Sequence, residues 1–388
     1  MKKITFIHPK MYMGGAEKVL IRLFENIDKQ RYSINLFLLR KGGELEKSVP
    51  SDISIDYYQS KNIFNLLKRA HFINFFRNLI YRLKIRFAKT DVEEGFITHC
   101  ISHNKDVISK DCVICFGQFQ FFCLCEAAYC DAKTKILWVH SFFDESMKKE
   151  FGINLNKKKY IDVYRCFDKI FCVSKAVKDG FDREFPMYVS KTSVVYNLID
   201  VNEIKANALV PIADKLKSIS LLTVGRLSHE KGQHMIPAIT RKLLNDGYEI
   251  FWYLIGGLDN SEKEIHREIK KHRVEDNVIL LGTIQNPLPY MKQCDIYVQP
   301  SLIEGYCTAT NEARILCKPI VATNITSMYE QFENMKNGIL VDCNISAIYN
   351  GLKFILDNPS IKEQFAAELS KLIIDNDNEL KKIYEVIN

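Results

Sequence analysis

The sequence predicts an α/β protein with two Rossmann-like domains in tandem. Its 388 residues exceed one typical domain and suffice for two, each with its own core. Short β-branched or aromatic runs alternate with amphipathic helical patterns, which is typical of parallel β-α-β construction. This alternation restarts after an irregular stretch, residues 197–217, that contains Pro211. A domain boundary is therefore expected near residue 200.

The amino-terminal domain, residues 1–200, is predicted to hold one parallel sheet. A glycine turn at Gly14 and Gly15 joins its first strand to an amphipathic helix that carries Val19, Leu20 and Leu23 on one side. Seven runs read as strands, at residues 3–8, 33–39, 53–58, 112–116, 134–140, 168–173 and 192–196.

The carboxyl-terminal domain, residues 201–371, repeats the pattern. Helices are expected at about 232–246 and 261–273. Strands are expected at residues 219–224, 250–255, 278–281, 295–299, 319–322 and 338–341. Ligands of doubly wound sheets bind beyond the carboxyl ends of the strands, so two facing domains are predicted to leave a cleft.

Composition excludes several protein classes. With 47% hydrophobic and 26% charged residues, the chain is an ordinary globular protein. The apolar run at the amino terminus is too short for a secretory signal and stops at His8-Pro9, and no stretch reaches the ~18 apolar residues of a spanning helix. The twelve cysteines include Cys112-x-x-Cys115 and Cys123-x-Cys125, whose spacing superficially resembles that of metal ligands. Both pairs lie in apolar segments, where a cysteine acts as a small buried side chain. We expect free thiols in a reducing cytosol, without zinc.

Charge divides unevenly between the halves. Residues 1–200 carry 33 Lys and Arg against 23 Asp and Glu, a net charge of +10, whereas the remaining residues carry 21 against 24, or −3. Either the amino half faces an anionic partner, or its basic surface is simply solvated.

The segment around Glu304 and Glu312 carries the strongest chemical pattern. A strand end, a turn and a helix start place two carboxylates seven intervening residues apart, and carboxylates accept hydrogen bonds from the vicinal hydroxyls of a sugar or ribose. Gly305 permits close approach, and the N–H groups of Cys307 and Thr308 are expected at the positive end of the helix. This is a site for a phosphate flanked by two polyols; the alternative is an ordinary helix cap with surface glutamates.

A second pattern is the loop Gly225-Arg226-Leu227-Ser-His-Glu-Lys231-Gly232, which follows the first strand of the second domain. One Arg and one Lys on the same loop can neutralise a diphosphate. The alternative is a solvated charged loop.

Taken in order, these strings resemble the retaining glycosyltransferases of family 4. The resemblance rests on Gly-Arg-x4-Lys-Gly, Glu-x7-Glu and the Gly-Gly-Ala-Glu string at Gly14, and extends over most of the chain. It includes Val195–Asp200, Leu281–Pro287 and a final amphipathic run that ends at Ile387. The resemblance implies the GT-B fold, with two Rossmann-like domains facing across a cleft and a helix at about 372–388 packing back on the first domain.

The resemblance also implies roles for the carboxyl-terminal site. Arg226 and Lys231 would hold the donor diphosphate and stabilise the charge of the leaving nucleotide, Glu304 would contact the transferred sugar, and Glu312 would bind the ribose hydroxyls. The remaining donor-binding residues would be Ile284, near the base, and the loop residues Gly305, Tyr306, Cys307 and Thr308. Many relatives have a glycine where this chain has Cys307, so the donor pocket is expected to differ in shape.

From the first domain, Gly14 and Gly15 would approach the diphosphate and sugar. His140, at the end of a predicted strand, matches a position near the transferred sugar in relatives; a lone strand-end histidine is also compatible with a structural role.

No metal or other cofactor is expected, because two cationic side chains and a helix terminus replace it. The string Asp375-Asn376-Asp377 reads as a helix cap rather than a metal site. The resemblance implies retention by front-face attack, in which a phosphate oxygen of the leaving group takes the acceptor proton. The donor would be a UDP- or GDP-sugar, and nucleic acid is not an expected partner.

Other functions stay open at this point. A nucleotide-sugar epimerase of the same fold and a non-catalytic nucleotide-sugar-binding protein are the alternatives. A phosphorylase is disfavoured by chain length, and a nicotinamide dehydrogenase by the absence of Gly-x-Gly-x-x-Gly after any predicted strand.

The acceptor is expected to be a saccharide or lipid-linked saccharide of a bacterial surface polysaccharide or glycolipid. Residues 61–89 contain eight basic residues and no acidic one, and their apolar residues recur at helical spacing. We predict that this segment, with Arg82, Lys84 and Arg86, contacts an anionic membrane, which would make the protein cytoplasmic and peripheral at the inner face of the cell membrane. A core helix with a solvated basic face is the alternative.

Overall fold

The computed structural model describes residues 1–58, 108, 110–118, 120–142, 157–212, 215–257 and 261–388. The predicted membrane segment at 61–89, including Arg82, Lys84 and Arg86, lies outside the described residues. The chain divides into two compact units. The first comprises Met1–Val173, Lys178–Leu198 and Asp377–Asn388; the second comprises Ser174–Val177 and Ile199–Asn376.

The first unit is built on a seven-stranded sheet in the order β3-β2-β1-β4-β5-β6-β7, with every neighbouring pair parallel. The strands are β1 Lys2–His8, β2 Tyr32–Leu38, β3 Ser54–Tyr57, β4 Cys112–Cys115, β5 Thr134–Val139, β6 Lys169–Cys172 and β7 Thr192–Val194. Described helices of this part of the chain are α1 Gly15–Asn26, α2 Phe121–Tyr129, α3 Lys157–Tyr164 and α4 Lys175–Glu184.

The second unit repeats the arrangement with six parallel strands in the order β10-β9-β8-β11-β12-β13. The strands are β8 Ser220–Val224, β9 Phe251–Ile255, β10 Val278–Gly282, β11 Ile296–Gln299, β12 Ile320–Thr323 and β13 Ile339–Val341. The helices are α5 Val201–Asn207, α6 Ile236–Asn245, α7 Glu262–His272, α8 Leu288–Gln293, α9 Thr308–Ile315, α10 Ile345–Asp357 and α11 Ser360–Leu369.

Both faces of the second sheet are buried. Leu221 and Trp252 pack in one apolar cluster, while their strand neighbours Leu222 and Tyr253 pack in another. Successive strand residues point to opposite faces, so a sheet covered by helices on both sides needs nearly continuous apolar strands. This explains why the strand sequences of this unit lack alternation.

The predicted fold class is confirmed: two parallel-sheet, Rossmann-like α/β units of the GT-B type. Every predicted strand is present, with ends within two residues of the prediction. Each sheet reverses its strand order once, between β1 and β4 in the first unit and between β8 and β11 in the second. In doubly wound sheets ligands bind at this switch point, beyond the carboxyl ends of the strands.

The last helix, α12 Asn376–Ile387, ends the chain on the first unit. Glu379 accepts a hydrogen bond from the backbone N–H of Tyr196 at 2.8 Å, and the Tyr384 ring stacks on Tyr32 with centroids 5.5 Å apart. The Asn376 side chain bonds both the N–H and the carbonyl of Ile199. The Asp-Asn-Asp string therefore lies at the start of this helix.

The described cysteines are all free, and Cys112, Cys115, Cys123 and Cys125 are buried. Burial raises the pKa of the Cys112, Cys115 and Cys125 thiols to about 12, so they stay protonated and behave as small apolar side chains. Within the described part of the chain, no helix combines the length and the apolar composition that crossing a bilayer demands.

Candidate functional site

The switch point of the second sheet brings two loops together at one edge. After β8 the chain enters the basic loop, Gly225–Gly232, and after β11 it enters the glutamate loop, Pro300–Cys307. β8 and β11 are direct neighbours, so their carboxyl ends leave the sheet side by side. Lys231 and Glu304, 73 residues apart in sequence, meet there.

The basic loop is held closely against the sheet. Gly225 N–H donates to the Ile255 carbonyl at 2.9 Å, and Leu227 N–H donates to the Gly257 carbonyl at 3.0 Å. The Gln233 amide donates to the carbonyls of Gly225 at 3.2 Å and Arg226 at 2.9 Å. These bonds fix the backbone on both sides of Arg226.

Gly232 locks the basic loop onto the glutamate loop. Its φ of +71° is left-handed, and a Cβ there would lie 1.9 Å from the Pro300 carbonyl oxygen. Leu302 N–H donates to the Glu230 carbonyl at 2.8 Å. Only glycine therefore fits this contact, and the contact sets the position of Lys231 next to it.

Lys231 and Glu304 form an ion pair with Nζ and Oε1 2.7 Å apart. The Lys231 side chain is 20% exposed and that of Glu304 only 8%. Burial alone would lower the pKa of Lys231, but the adjacent Glu304 carboxylate outweighs it and raises the pKa above its usual value. Glu304 Oε1 also accepts from Ser301 Oγ at 2.8 Å and Gln299 Nε2 at 3.3 Å.

Arg226 differs from Lys231 in its exposure. Its side chain is 60% exposed, and its guanidinium lies 3.7 Å from Glu230 Oε1. The Glu230 side chain is 15% exposed, but a pair this long, with its cation in solvent, contributes little to stability. Arg226 therefore presents a guanidinium to solvent at the edge where the Lys231 ammonium is held in place.

Helix α9 begins beside this pair, with Cys307 as its N-cap. The Cys307 carbonyl accepts from Thr310 Oγ1 at 2.9 Å, Asn311 Nδ2 at 3.1 Å and Gln331 Nε2 at 3.3 Å. Three side-chain donors on one carbonyl hold the start of the helix, whose first-turn N–H groups favour an anion. Burial raises the pKa of the Cys307 thiol to about 12, so Cys307 adds no charge to the site.

Tyr306 is held from beneath by Arg314, whose guanidinium hydrogen-bonds the Tyr306 side chain. Arg314 is 7% exposed, donates to Asn311 Oδ1 at 2.7 Å, and lies over the Phe332 ring. Burial lowers the pKa of Arg314, and Tyr306 opposes that effect.

The other predicted donor-binding residues follow the same strand ends. Gly305 is buried in the glutamate loop, while Thr308 and Glu312, on α9, are half-buried. Ile284 is half-buried just after β10. The second unit thus carries Arg226, Lys231, Glu304, Glu312, Ile284 and the Gly305–Thr308 segment on the loops and the helix that follow β8, β10 and β11.

The first unit carries Gly14, Gly15 and His140. Gly14 is the N-cap of α1, and a Cβ on it would lie 2.3 Å from the Glu17 carboxylate. Glu17 in turn pairs with the buried His8, with Nε2 and Oε1 3.2 Å apart. A carboxylate therefore lies over the glycine turn, so an anionic group that approaches Gly14 meets a negative charge.

His140 follows β5 and packs against Phe116, with ring centroids 4.2 Å apart. Burial lowers the pKa of His140 to about 3, and His8 contributes in the same direction. The imidazole is therefore neutral at physiological pH. Its Nε2 is buried and has no hydrogen-bond partner among the described residues. Gln118 Oε1 accepts from the backbone N–H groups of His140 and Ser141.

Sequence reasoning missed the polar groups that support these residues, namely Gln299, Ser301, Gln331, Gln118 and the His8–Glu17 pair. Gln299 ends an otherwise apolar strand, Ile296-Tyr-Val-Gln299, and a polar residue there is a signal that was available. Within the described ranges, no cluster of three His, Cys, Asp or Glu side chains could hold a metal ion.

Comparison with protein families gives one match. The model of the family described as "Glycosyl transferases group 1" matches residues 210–371, which form most of the second unit. The matched range includes the basic loop, the glutamate loop and helix α9.

Two curated bacterial relatives are named for transfer to diphosphoundecaprenol-linked substrates. The N-acetylgalactosamine-N,N'-diacetylbacillosaminyl-diphospho-undecaprenol 4-alpha-N-acetylgalactosaminyltransferase of Campylobacter jejuni is 28% identical over 56% of this chain and 59% of its own length. The UDP-Gal:alpha-D-GlcNAc-diphosphoundecaprenol alpha-1,3-galactosyltransferase of Escherichia coli is 22% identical over 92% of this chain and 88% of its own length. The match to the Campylobacter enzyme thus spans less than two thirds of that protein.

Solved structures resemble the chain over nearly its whole length. Anabaena HepE in complex with UDP and glucose has a TM-score of 0.75 at 18% identity and covers 99% of both chains. The Staphylococcus aureus TarM G117R mutant, in complex with UDP and other ligands, has a TM-score of 0.75 at 14% identity and covers all of both chains. A glycosyltransferase from Rickettsia africae has a TM-score of 0.67 at 16% identity, covering 100% of this chain and 97% of its own. At these identities the likeness concerns the fold.

Proposed function

We propose that the chain is a retaining glycosyltransferase of family 4 type, which moves a sugar from a nucleotide sugar to a lipid-linked saccharide in bacterial surface polysaccharide or glycolipid synthesis. The carrying observation is the Lys231–Glu304 pair, 2.7 Å long, at the switch point of the second sheet. A fixed ammonium, an exposed guanidinium at Arg226 and the start of helix α9 together suit a diphosphate. This combination favours transfer from a nucleotide sugar over binding alone, because cations matter most where leaving-group charge develops.

The donor we propose is a UDP-sugar. Two features of similar proteins support this choice: HepE and TarM are described in complex with UDP, and the E. coli relative is named for UDP-Gal. In this proposal Arg226 and Lys231 hold the diphosphate, Glu312 binds the ribose and Ile284 lies near the base. Gly305, Tyr306, Cys307 and Thr308 complete the donor site, and Gly14 and Gly15 approach it.

The reaction we propose needs no metal, since Arg226, Lys231 and the α9 terminus supply the positive charge. The acceptor hydroxyl attacks the anomeric carbon from the face that the diphosphate leaves, and a phosphate oxygen of the departing nucleotide takes the hydroxyl proton. In this proposal the neutral His140 ring lies near the transferred sugar, as the family resemblance implies.

The acceptor we propose is a saccharide on a polyprenyl diphosphate. Both the C. jejuni and the E. coli relatives are named for diphosphoundecaprenol-linked substrates. Such an acceptor lies in a membrane, so we propose that the protein is cytoplasmic and binds the inner membrane face peripherally.

The test is a transfer assay with labelled UDP- and GDP-sugars and short-chain polyprenyl-diphosphate saccharides. We expect release of UDP that depends on the acceptor, in excess EDTA, and a product whose NMR coupling constants show the anomeric configuration of the donor. Acceptor-independent conversion of the nucleotide sugar would favour the epimerase. Binding without turnover of any donor would favour a non-catalytic protein, and an inverted product would exclude retention.

The nucleotide contacts are tested separately by calorimetry with UDP and GDP. Glu312→Gln should weaken the binding of the preferred nucleotide by about ten-fold, since a charged hydrogen bond contributes roughly 1.5–3 kcal/mol. The same substitution at Glu333, an exposed residue paired with Lys336, is the control. Equal affinity in the two variants would remove the ribose role.

A further inference from the structure

A chain of buried polar side chains leads to Glu304 from the interior of the second sheet. Tyr297, Gln299 and Ser301 are 0%, 1% and 0% exposed. The Tyr297 hydroxyl donates to Gln299 Oε1 at 2.6 Å, and Gln299 Nε2 donates to Ser301 Oγ at 2.8 Å and to Glu304 Oε1 at 3.3 Å. Ser301 Oγ donates to the same carboxylate oxygen at 2.8 Å. These four hydrogen bonds run toward Glu304, while the Tyr297 hydroxyl also lies 3.4 Å from the Val224 carbonyl oxygen.

The Tyr297 hydroxyl at one end of the Gln299 amide and the Glu304 carboxylate at the other end together favour this direction. A phenol has a single O–H, and a glutamine amide has an acceptor on one side and donors on the other. Because Tyr297 donates to the amide oxygen, the Gln299 NH₂ group faces Ser301 and Glu304. A reversed amide would place its carbonyl oxygen against the carboxylate and would remove the Gln299 donor from Glu304, which would keep Lys231 and Ser301.

The chain ends on a carboxylate oxygen that also holds Lys231. Oε1 accepts from Lys231, Ser301 and Gln299. Among the described residues, the Lys231 ammonium hydrogen-bonds Glu304 alone, so two of its N–H groups stay available on a side chain that is 20% exposed. The titratable or charged groups around it are Glu304, Arg226 and the thiol of Cys307.

We propose that Tyr297, Gln299 and Ser301 are positioning residues that hold the Glu304 carboxylate, and that Glu304 thereby holds the Lys231 ammonium for the diphosphate of a nucleotide. This inference rests on the proposed function, and adds to it that Glu304 acts on the nucleotide through Lys231. Glu304 would then matter for a nucleoside diphosphate that carries no sugar. A Glu304 that only contacts the transferred sugar would not.

The charge of Lys231 gives a readout of this role. Burial lowers the pKa of Lys231, and Glu304 more than offsets that effect. Replacing the carboxylate by an amide removes the largest effect that raises the Lys231 pKa, so this pKa falls. Binding that needs the ammonium is then lost as pH rises through the lower pKa, whereas the wild type keeps the ammonium charged.

The experiment measures UDP and GDP affinity by calorimetry from about pH 7 to pH 9 for the wild type and Glu304→Gln, with Glu333→Gln as the matched control. The variant should lose more affinity than the wild type as pH rises, by up to about ten-fold for each pH unit above its lowered Lys231 pKa, because binding that needs the ammonium requires one proton on Lys231. Taking the ratio to the wild type cancels the ionisation of the nucleotide itself. An identical pH dependence in the variant and the wild type would overturn the proposal.

The relay is tested by Tyr297→Phe, which removes only the hydroxyl, with Tyr329→Phe on the exposed Tyr329 as the control. Tyr297→Phe should show an alkaline loss of UDP affinity in the same direction but smaller, about three-fold, because the Gln299 amide loses the hydrogen bond that holds its oxygen. Melting temperatures verify that both variants fold. If UDP affinity depends on pH in Tyr297→Phe as it does in the wild type, Tyr297 and Gln299 do not hold the Glu304 carboxylate.

The outcome separates this inference from the proposed function. If the wild type binds neither UDP nor GDP, the proposed donor site is wrong and the inference fails with it. In the other outcome, the wild type binds UDP and transfers the sugar while Glu304→Gln keeps its UDP affinity at high pH. The proposed transferase function is then retained, and Glu304 acts on the sugar alone.

Discussion

At the scale of single residues, the second unit separates its two cations by environment. Lys231 is mostly buried and paired with Glu304, whereas Arg226 is exposed at 60% and reorganises easily. A held ammonium loses little freedom when a ligand arrives, while an exposed guanidinium can turn to follow it. Lys231 is therefore suited to binding the ground-state diphosphate, and Arg226 to following the charge that develops on the leaving nucleotide.

Removal of either cation tests whether that cation stabilises the leaving diphosphate. We expect Lys231→Met and Arg226→Ala each to lower turnover by about 10²-fold or more, because each removes charge stabilisation of the leaving diphosphate. Steady-state rates of nucleotide release, with circular dichroism as a check on folding, provide the measurement. The control is Lys336→Met, a substitution at an exposed lysine of the same unit. Near-normal rates in both variants would contradict the assignment of the site.

Lys231→Met should also destabilise the second unit, since it leaves Glu304 buried without its counter-ion. Arg226→Ala should destabilise it less, because the Arg226 guanidinium is 60% exposed and lies as far as 3.7 Å from Glu230.

The lowered pKa of His140 predicts how the free energy of unfolding changes with pH. Its folded pKa of about 3 lies below the unfolded value of about 6.5, so the unfolded chain binds more protons between these limits. The His140 contribution to stability is complete above about pH 6.5 and is lost as pH falls toward 3, by roughly 1.4 kcal/mol per pH unit. Urea unfolding at pH 7, 6 and 5 should show a shallower loss in His140→Gln than in the wild type. Parallel losses would show that His140 is protonated in the folded protein.

At the scale of elements, the strands were predictable and the contacts between loops were not. Apolar runs such as Ile219–Val224 and Ile250–Ile255 identify buried parallel strands without any knowledge of their neighbours. The pairing of Lys231 with Glu304 depends instead on β8 and β11 lying side by side, which is a property of the sheet order. The sequence predicted both residues as site residues, but not that one would hold the other.

The supporting polar groups were missed for the same reason. Gln331 lies outside every predicted strand and helix, and its importance comes from donating to the Cys307 carbonyl. Glu17 was part of a matched string, but only the folded turn reveals that its carboxylate covers Gly14. Interactions between residues distant in sequence carry no local pattern, so composition and periodicity could not predict them.

The geometry of the basic loop predicts the effect of substituting Gly232. Gly232→Ala would strain a left-handed backbone and press a methyl group into the Pro300 carbonyl, 1.9 Å away. We expect a loss of about 2–4 kcal/mol of stability and lower activity, because Lys231 is displaced with the loop.

Gly247→Ala is the matched control, since Gly247 has a φ of +89° but nothing within 4 Å of its Cβ position. It should cost about 1 kcal/mol from backbone strain alone. Urea denaturation of both variants gives the comparison. Equal losses would mean that the contact between the basic loop and the glutamate loop does not hold Lys231 in place.

At the scale of the whole molecule, the net charges of the two halves can be compared with the anionic ligands that we propose for them. The amino half carries a net charge of +10 and the carboxyl half −3, although the nucleotide that we propose for the carboxyl half is the anionic ligand. The donor site thus gathers a few cations in a unit of nearly balanced charge. We propose that the excess positive charge of the other half faces a second anionic partner, an acceptor in a bacterial membrane.

The last prediction concerns residues 61–89, which hold eight of the basic residues and no acidic one. If this segment contacts an anionic surface, each Lys or Arg near it contributes about 1 kcal/mol, and apolar residues at helical spacing add buried area. Co-sedimentation with vesicles should show binding that rises with the anionic lipid fraction and falls with salt. Changing Arg82, Lys84 and Arg86 to Glu should weaken binding by about 10²-fold or more.

The control makes the same charge change elsewhere, at Arg267, Lys270 and Lys271 on the exposed face of α7. Net charge is then equal in the two triple variants, and only the position of the charges differs. If both variants lose binding equally, attraction is a property of the whole molecule and residues 61–89 have no special part in it. If the wild type stays in the supernatant with neutral and anionic vesicles alike at low salt, the membrane contact is wrong. Transfer to a water-soluble acceptor would be unaffected by either result, because it depends on the second unit's cations and not on where the acceptor is presented.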